Sequence, residues 1–300
     1  MGISFKTVYL ETNQGHGNAR RQSLVNCSYD FVALMDADDI SVHNRFEKQL
    51  ERFTRNPELS IVGGQITEFI GEPQNIIGKR EVPQTDCDIK NYMRKRCPMN
   101  QVSVMFKKAD VEESGGYIDW YCEEDYYLWI RMAQKGCHFA NVPDVLVNVR
   151  VGNEMSARRG GWKYFSSEAR LQAYMYKNKL ITLPQYLYNV GIRFGGEVVV
   201  PTSLRTKLFR LMRNTYDGSV EKEHKKEELQ CNKREYPPFS VAMCVYGGDN
   251  PKWFDVALES VVKQTVQPHE VVIVVDGPIP ENLQSVIDKY CDSCNSKERV

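Results

Sequence analysis

Long apolar runs are missing from this 300-residue sequence. No stretch approaches the roughly 18 consecutive apolar residues that a membrane-spanning helix needs. The opening, Met1 to Lys6, lacks the charged and apolar regions of a signal peptide, so the expected location is the cytoplasm. An excess of either charge is also missing: 39 basic and 39 acidic residues leave a formal net charge of zero. Nucleic-acid binders usually carry a basic excess, so no nucleic-acid partner is expected and any charge-driven function must be local. A disulfide framework is the third absence. The nine cysteines are an odd number at irregular spacing, which fits reduced thiols. Cys291-x-x-Cys294 has metal or redox spacing, but with no second pair and no nearby histidine the plainer reading is two surface or half-buried thiols near a loop.

What is present is an ordinary globular composition, 42% hydrophobic, 11% aromatic and 26% charged, enough for one large α/β domain or two small ones. The most regular pattern lies at the end. Phe239 to Tyr246 (FSVAMCVY) reads as a strand followed by the turn cluster Gly247 to Pro251, with Asp249 or Asn250 capping a helix over Trp253 to Gln264. Val271 to Val275 (VVIVV) reads as a fully buried strand stopped by Asp276-Gly277-Pro278, and Glu281 to Tyr290 as a helix. The beginning continues that rhythm, with strands over Phe5 to Leu10 and Phe31 to Met35 around Gly15 to Val25, a loop entering a helix. Helices are expected over Asn44 to Thr54, Asp125 to Lys135, Trp162 to Lys179 and Leu204 to Arg213, and strands over Ile61 to Phe69 and Val102 to Phe106. Gly71 to Asp88 reads as a polar loop. Thr215 to Pro238 is a mixed-charge run that reads as a solvated linker or exposed helix.

Ligands of open α/β sheets bind outside the carboxyl ends of strands, so Asp36, Asp38 and Asp39, directly behind FVALM, are aimed at a crevice. Carboxylates so close together repel unless a cation neutralises them, and hard oxygen ligands suit Mg²⁺ or Mn²⁺. Plainer readings are acidic residues favoured by a helix dipole, or an EF-hand, which Ser41 in place of the required glycine opposes. A second constellation, Cys122 to Trp129 (CEEDYYLW), places Glu124 and Asp125 at a helix start beside aromatic rings. Lost solvation there raises a carboxyl pKa toward what a general base for a hydroxyl requires, while an acidic N-cap in front of core aromatics is the bland alternative. A third set, Arg150, Arg158 and Arg159 beside glycines, suits two-point contacts with phosphate oxygens or is simply a solvated basic loop. The Asn13-x-Gly15-x-Gly17 loop departs from the dinucleotide-binding fingerprint at Arg20, so it reads as a tight strand-to-helix turn.

Taken together, SVAMCVYGGDNPKWFDVALESVVKQT, EVVIVVDGP, NQGHGNARR, FVALMDADD, GGYIDWYCEEDYYLWIRM and RVGNEMSARRGG resemble the family 2 glycosyltransferases, above all bacterial ones that build capsule, exopolysaccharide or lipopolysaccharide. The resemblance implies a GT-A fold: α/β, Rossmann-like, with a mostly parallel central sheet flanked by helices and a helical tail. Val245, Tyr246 and Asp276 would face the nucleotide base, Asp36 and Arg20 would lie with the nucleotide, and Asp38, with Asp36, would hold Mn²⁺ or Mg²⁺. Asp125, or failing it Glu124, would be the catalytic base, and Arg158 and Arg159 would lie near the diphosphate or acceptor. Arg21 stands where the family usually has Asn after Ala-Arg.

The pieces come in an unusual order, since family members begin with the strand that here starts at Phe239. A circularly permuted domain is therefore expected. Residues 1–213 would be the metal-binding, acceptor and catalytic part with a helical tail, 214–238 a charged linker joining the original termini, and 239–300 the nucleotide-binding first half. A fragment spanning two such domains is the rival reading, but it would expose long apolar strands. The expected partners are a nucleotide sugar, UDP-linked by preference, and a saccharide or lipid-linked saccharide acceptor. A nucleotidyltransferase and a catalytically silent nucleotide-sugar-binding module remain as alternatives. Leu204 to Arg213, a basic amphipathic helix, either rests on an anionic membrane as a peripheral contact or packs on the catalytic domain.

Overall fold

The computed structural model describes residues 2–152, 161–199, 236–291 and 297–299. Arg158, Arg159, Cys294, the Leu204 to Arg213 helix and the linker up to residue 235 lie outside them. The chain opens with β1 (Ser4–Leu10), α1 (His16–Asn26), β2 (Phe31–Asp36), the short β3 (Ile40–Ser41) and α2 (Arg45–Arg55). There follow β4 (Leu59–Phe69), β5 (Ile76–Arg80), α3 (Asp86–Met93), β6 (Met105–Lys107), α4 (Lys108–Glu113) and α5 (Glu124–Gln134). Next come β7 (His138–Arg150), α6 (Trp162–Lys177) and α7 (Leu183–Phe194). The end supplies β8 (Phe239–Tyr246), α8 (Pro251–Val262), β9 (Glu270–Asp276), α9 (Glu281–Cys291) and β10 (Lys297–Arg299).

One sheet runs in the order β10-β1-β9-β8-β2-β6-β4-β7-β3, with β5 attached to β4. Its half from β10 to β2 is wholly parallel, whereas β6 runs antiparallel to both β2 and β4. β9 is buried at every position and reads EVVIVVD, the near-continuous apolar run of a parallel strand covered on both faces. Side chains alternate between those faces: Ala33, Met35, Val241, Met243 and Ile273 belong to one apolar layer, Val32, Leu34, Ala242 and Val274 to the other. On the first face Phe254, Ala257, Leu258 and Val261 give α8 its buried stripe. Its start is fixed by Asn250, whose Oδ1 accepts from the Lys252 N–H at 2.9 Å, with Pro251 in the first turn.

β8 lies between β9 and β2, and β1 lies beside β9. Strands from the two ends of the sequence thus build adjacent parts of one sheet, and their apolar faces are covered. In the parallel ladder Asp36 is level with Cys244, Tyr246 with Asp276, and Asp276 with Leu10. The carboxyl ends of β1, β9, β8 and β2 therefore form one rim, where ligands of such sheets bind.

Several local expectations are corrected. The polar segment Gly71 to Asp88 contains β5 and the start of α3; β5 gains its order by pairing with β4, which the sequence of a short edge strand does not announce. The strand expected from Val102 begins as a 3₁₀ turn over Gln101–Ser103, leaving β6 only Met105–Lys107. β7 escapes the sequence pattern because Pro143 and Asp144 interrupt it. They fall where its register with β4 shifts between Gly64 and Gln65, as befits a residue without an N–H to give the ladder. Cys291 is a buried helical residue whose Sγ lies 3.3 Å from Thr7 Oγ1, not a surface thiol.

Candidate active site

Arg20, from the first turns of α1, occupies the centre of the rim. Its Nη1 lies 2.7 Å from Glu124 Oε1, at the start of α5, and its Nη2 lies 3.3 Å from Asp36 Oδ1, at the end of β2. Burial opposes the guanidinium charge, but Asp36 and Glu124 outweigh it and hold Arg20 above its ordinary value. Glu124 is raised above the usual carboxylate range by burial and by Asp125, against the pull of Arg20. Asp125 is engaged differently. Its Oδ2 accepts a weak bond from Cys97 Sγ at 3.9 Å. With its amide oriented to satisfy both neighbours, Gln101 donates to Asp125 Oδ2 at 3.3 Å and accepts from Arg20 Nη1 at 3.1 Å. Arg20 and Asp125 are thereby linked, although α1 and α5 are far apart in sequence.

The acidic turn after β2 divides into a buried and a half-buried part. Asp39 is buried, and its Oδ1 accepts from the Arg150 N–H at 2.9 Å. Burial, then the charges of Asp38 and Asp36, push Asp39 well above the usual carboxylate range. Arg150 donates from Nε to the Asp38 carbonyl at 3.2 Å, and its guanidinium is stacked between Phe69 and Trp253, 4.6 and 4.4 Å from their ring centroids. Beneath the turn lies Arg45, fully buried and depressed to about 9 by burial, with Asp39 and Asp36 acting in the opposite sense. Its Nη2 donates to the Leu34 carbonyl at 2.7 Å, so a cation is fixed behind the aspartates.

Asp276 holds the Asn13-to-Gly15 loop: Oδ1 accepts from the Gln14 N–H at 2.6 Å and Oδ2 from the Gly15 N–H at 3.0 Å. Gly277, at φ 85°, lets that loop come close, since a Cβ there would lie 2.7 Å from the Asn13 nitrogen. Val245 is buried within β8 and Tyr246 is exposed at the rim. The rim thus carries Asp276, Tyr246, Asp36, Arg20, Glu124 and Asp125, all of them candidates from the sequence.

Asp249, Gln101, Cys97 and Trp253 are site residues that sequence reasoning misses. Asp249 reads from the sequence as a helix cap. Its Oδ2 instead accepts from the Tyr246 N–H at 2.9 Å, and burial, with smaller contributions from Asp38 and Asp36, pushes it to about 6. The available signal is its place in the turn directly after a strand at the carboxyl rim. Gln101 and Cys97 carry no sequence signal of their own.

Among the described residues no group of three or more His, Cys, Asp or Glu side chains is arranged to hold a metal ion. A Mg²⁺-type ion needs less from the protein, commonly one or two carboxylates, with water and substrate phosphate completing its shell. Asp38 and Asp36, both half-buried at the carboxyl end of β2, would provide that minimal oxygen set.

The sequence profile of Glycosyl transferase family 2 matches residues 2–110. An uncharacterized glycosyltransferase of Haemophilus influenzae is 41% identical over 208 residues, 69% of this chain and 77% of that protein. The chain belongs to glycosyltransferase family 2. The UDP-Gal:alpha-D-GlcNAc-diphosphoundecaprenol beta-1,3-galactosyltransferase of Escherichia coli is 34% identical over 69% of the chain and 75% of its own length. The amylovoran biosynthesis glycosyltransferase AmsE of Erwinia amylovora is 38% identical over 55% of the chain and 61% of its own length. The mixed α/β sheet with its ligand-facing parallel rim is the GT-A architecture of the family, and no helix among the described residues is long and apolar enough to cross a membrane.

Proposed function

We propose that the protein is an inverting glycosyltransferase that moves a sugar from a nucleoside-diphosphate sugar, UDP-linked by preference, to a saccharide or lipid-linked saccharide acceptor of surface-polysaccharide synthesis. The observation that carries this reading is the meeting of Asp36, Arg20, Glu124 and Asp125 at the carboxyl rim of the parallel strands. The galactosyltransferase relative, whose name specifies a UDP sugar and a diphospholipid-linked acceptor, supports the choice of partners.

The carboxylates divide the work by their surroundings. Glu124 is tied to Arg20, whereas Asp125 accepts from uncharged groups, the Tyr126 N–H at 2.7 Å, the Gln101 amide and the Cys97 thiol, which leaves it the better placed of the two to accept a proton. Asp125 takes the proton of the acceptor hydroxyl as that oxygen attacks the anomeric carbon. The bond from that carbon to the diphosphate breaks, and a single displacement inverts the configuration. Asp38, with Asp36, would hold Mn²⁺ or Mg²⁺, which when bound supplies positive charge to the departing diphosphate. Tyr246 and Asp276 line the base end, where Asp276 acts by fixing the Gln14 and Gly15 backbone. Arg158 and Arg159 complete the proposal as acceptor or diphosphate contacts.

The same reading takes residues 239–300 and 1–213 as two halves of one permuted GT-A domain, a view supported by the position of β8 between β9 and β2. Incubation with a panel of UDP-, GDP- and dTDP-sugars, Mn²⁺ and undecaprenyl-diphosphate-linked N-acetylglucosamine tests the activity. Release of nucleoside diphosphate together with a β-linked product from an α-linked donor is the expected result; no transfer with any donor, or retained configuration, overturns the proposal.

A further inference from the structure

The structure assigns a membrane-docking surface to α7 and the basic turn packed against it, with an anionic lipid bilayer as its occupant. α7 is amphipathic in the reverse sense from an ordinary surface helix. At about 100° per residue, Leu183, Leu187, Tyr188, Ile192 and Phe194 fall on one half of its circumference. All are exposed, Leu187 at 60% and Tyr188 at 64%. The opposite half faces inward and carries Asn189 and Arg193 beside half-buried Tyr186 and Val190. Asn189 is buried, with Nδ2 donating at 2.9 Å to both Gln172 Oε1 and the Arg94 carbonyl. Arg193 meets Glu168 Oε2 through Nε at 2.8 Å and donates from Nη2 to the Lys95 carbonyl at 2.7 Å. An apolar face that could have been buried by rotating the helix is instead kept outward by these polar anchors.

The exposed charged side chains of the two turns next to α7 are basic. The anchors hold the exposed turn Arg94-Lys95-Arg96 against α7, and exposed Lys177 and Lys179 lie where α6 gives way to α7. Residues 161–199 contain five basic side chains and two acidic ones, Glu197 and Glu168, the latter paired with Arg193. Apolar side chains rimmed by lysine and arginine fit the boundary between acyl chains and anionic headgroups, and tyrosine favours that depth. A protein partner with an apolar groove would account for the exposed leucines but not for the basic turns beside them.

The surface adjoins the catalytic end of the molecule. Trp120 Nε1 donates to the Ser167 carbonyl at 3.3 Å, and Ser167 Oγ donates to the Tyr121 carbonyl at 2.7 Å, tying α6 to the segment that leads into α5. Docking through α7 would bring the rim close to a lipid-linked acceptor. That consequence rests on the proposed function; the surface itself does not.

Co-sedimentation of the full chain with phosphatidylcholine vesicles, with and without phosphatidylglycerol, tests it independently of any transferase assay. Binding to the anionic vesicles alone is expected, falling about tenfold or more in Leu187→Ser/Ile192→Ser and in Arg94→Ala/Lys95→Ala/Arg96→Ala, with melting temperatures unchanged. Thiol labelling of the Leu187→Cys variant, read peptide by peptide, should proceed at that position in the free protein and be blocked by anionic vesicles. Several outcomes overturn the proposal: failure of the parent protein to bind, equal binding by the variants, and a dimer in light scattering that the serine pair dissociates. Failure of the Leu187→Cys variant to label at that position without vesicles also overturns it, because the chain's own residues would then cover the face.

Discussion

Arg20 and Glu124 are joined by a 2.7 Å contact that ties α1 to the first turn of α5, and both side chains are nearly buried, at 11% and 12% exposure. The same guanidinium reaches Asp36, so three elements depend on one cation. A buried pair that loses one member leaves an uncompensated charge. Arg20→Met is therefore expected to cost about 3 kcal/mol in urea unfolding. Combining it with Glu124→Gln should recover at least about 1 kcal/mol, and strictly additive losses would show that the contact carries no coupling.

Asp125 and Glu124 are adjacent but not equivalent, because Arg20 neutralises only Glu124 directly. Asp125→Asn should lower kcat by about 10²- to 10⁴-fold while the dissociation constant for the nucleotide sugar changes little. Gln101→Ala, which removes the amide between Asp125 and Arg20, should lower kcat more modestly. A near-normal turnover for the Asp125 variant would remove that residue from the role of base.

Metal removal addresses Asp38. Transfer should cease in EDTA and return with Mn²⁺ or Mg²⁺, and Asp38→Asn should require at least about tenfold more Mn²⁺ for half-maximal activity. Titration of Mn²⁺ by electron paramagnetic resonance gives the same comparison without turnover. Equal affinity in both proteins would show that Asp38 is not a ligand.

The centre of the parallel half is legible because β2, β8 and β9 are largely buried on both faces and so appear as apolar runs, FVALM and VVIVV being the clearest. Acidic residues at the ends of such strands are legible for the same reason: the strand fixes which way they point. What escapes is structure whose order comes from elsewhere. β5 exists through pairing with β4, β7 is broken by Pro143, and α7 hides its polar side and shows its apolar one. Arg45, Gln101 and Asp249 act at the site only because folding carries them there. No local spacing distinguishes a lysine-like surface arginine from one fixed beneath an acidic turn.

Gly277 tests the base end of the rim. Its φ of 85° is strained for other residues, and a Cβ would lie 2.7 Å from the Asn13 nitrogen. Gly277→Ala should cost about 1–3 kcal/mol and loosen the loop held by Asp276. Faster hydrogen exchange at the Gln14 and Gly15 amides, both bonded to that carboxylate, is the expected signature. Unchanged protection there would mean the loop does not need the close approach.

Asp249 lies at about 6 when folded, against an ordinary value of 3.8. An acid raised in this way binds its proton more tightly in the folded than in the unfolded chain. Its contribution to stability is therefore greatest below the unfolded value and is lost as pH rises through the folded one, here between about pH 4 and pH 6. Asp249→Asn keeps an oxygen to accept from the Tyr246 N–H but cannot ionise. In chelator, the variant should gain about 1–3 kcal/mol relative to the parent protein between pH 4 and pH 7.5. Asp39, Glu123 and Glu124, also raised, titrate in both proteins and largely cancel from the difference. Urea unfolding across that range measures it. A difference independent of pH would mean that burial does not raise the Asp249 carboxyl in the folded chain.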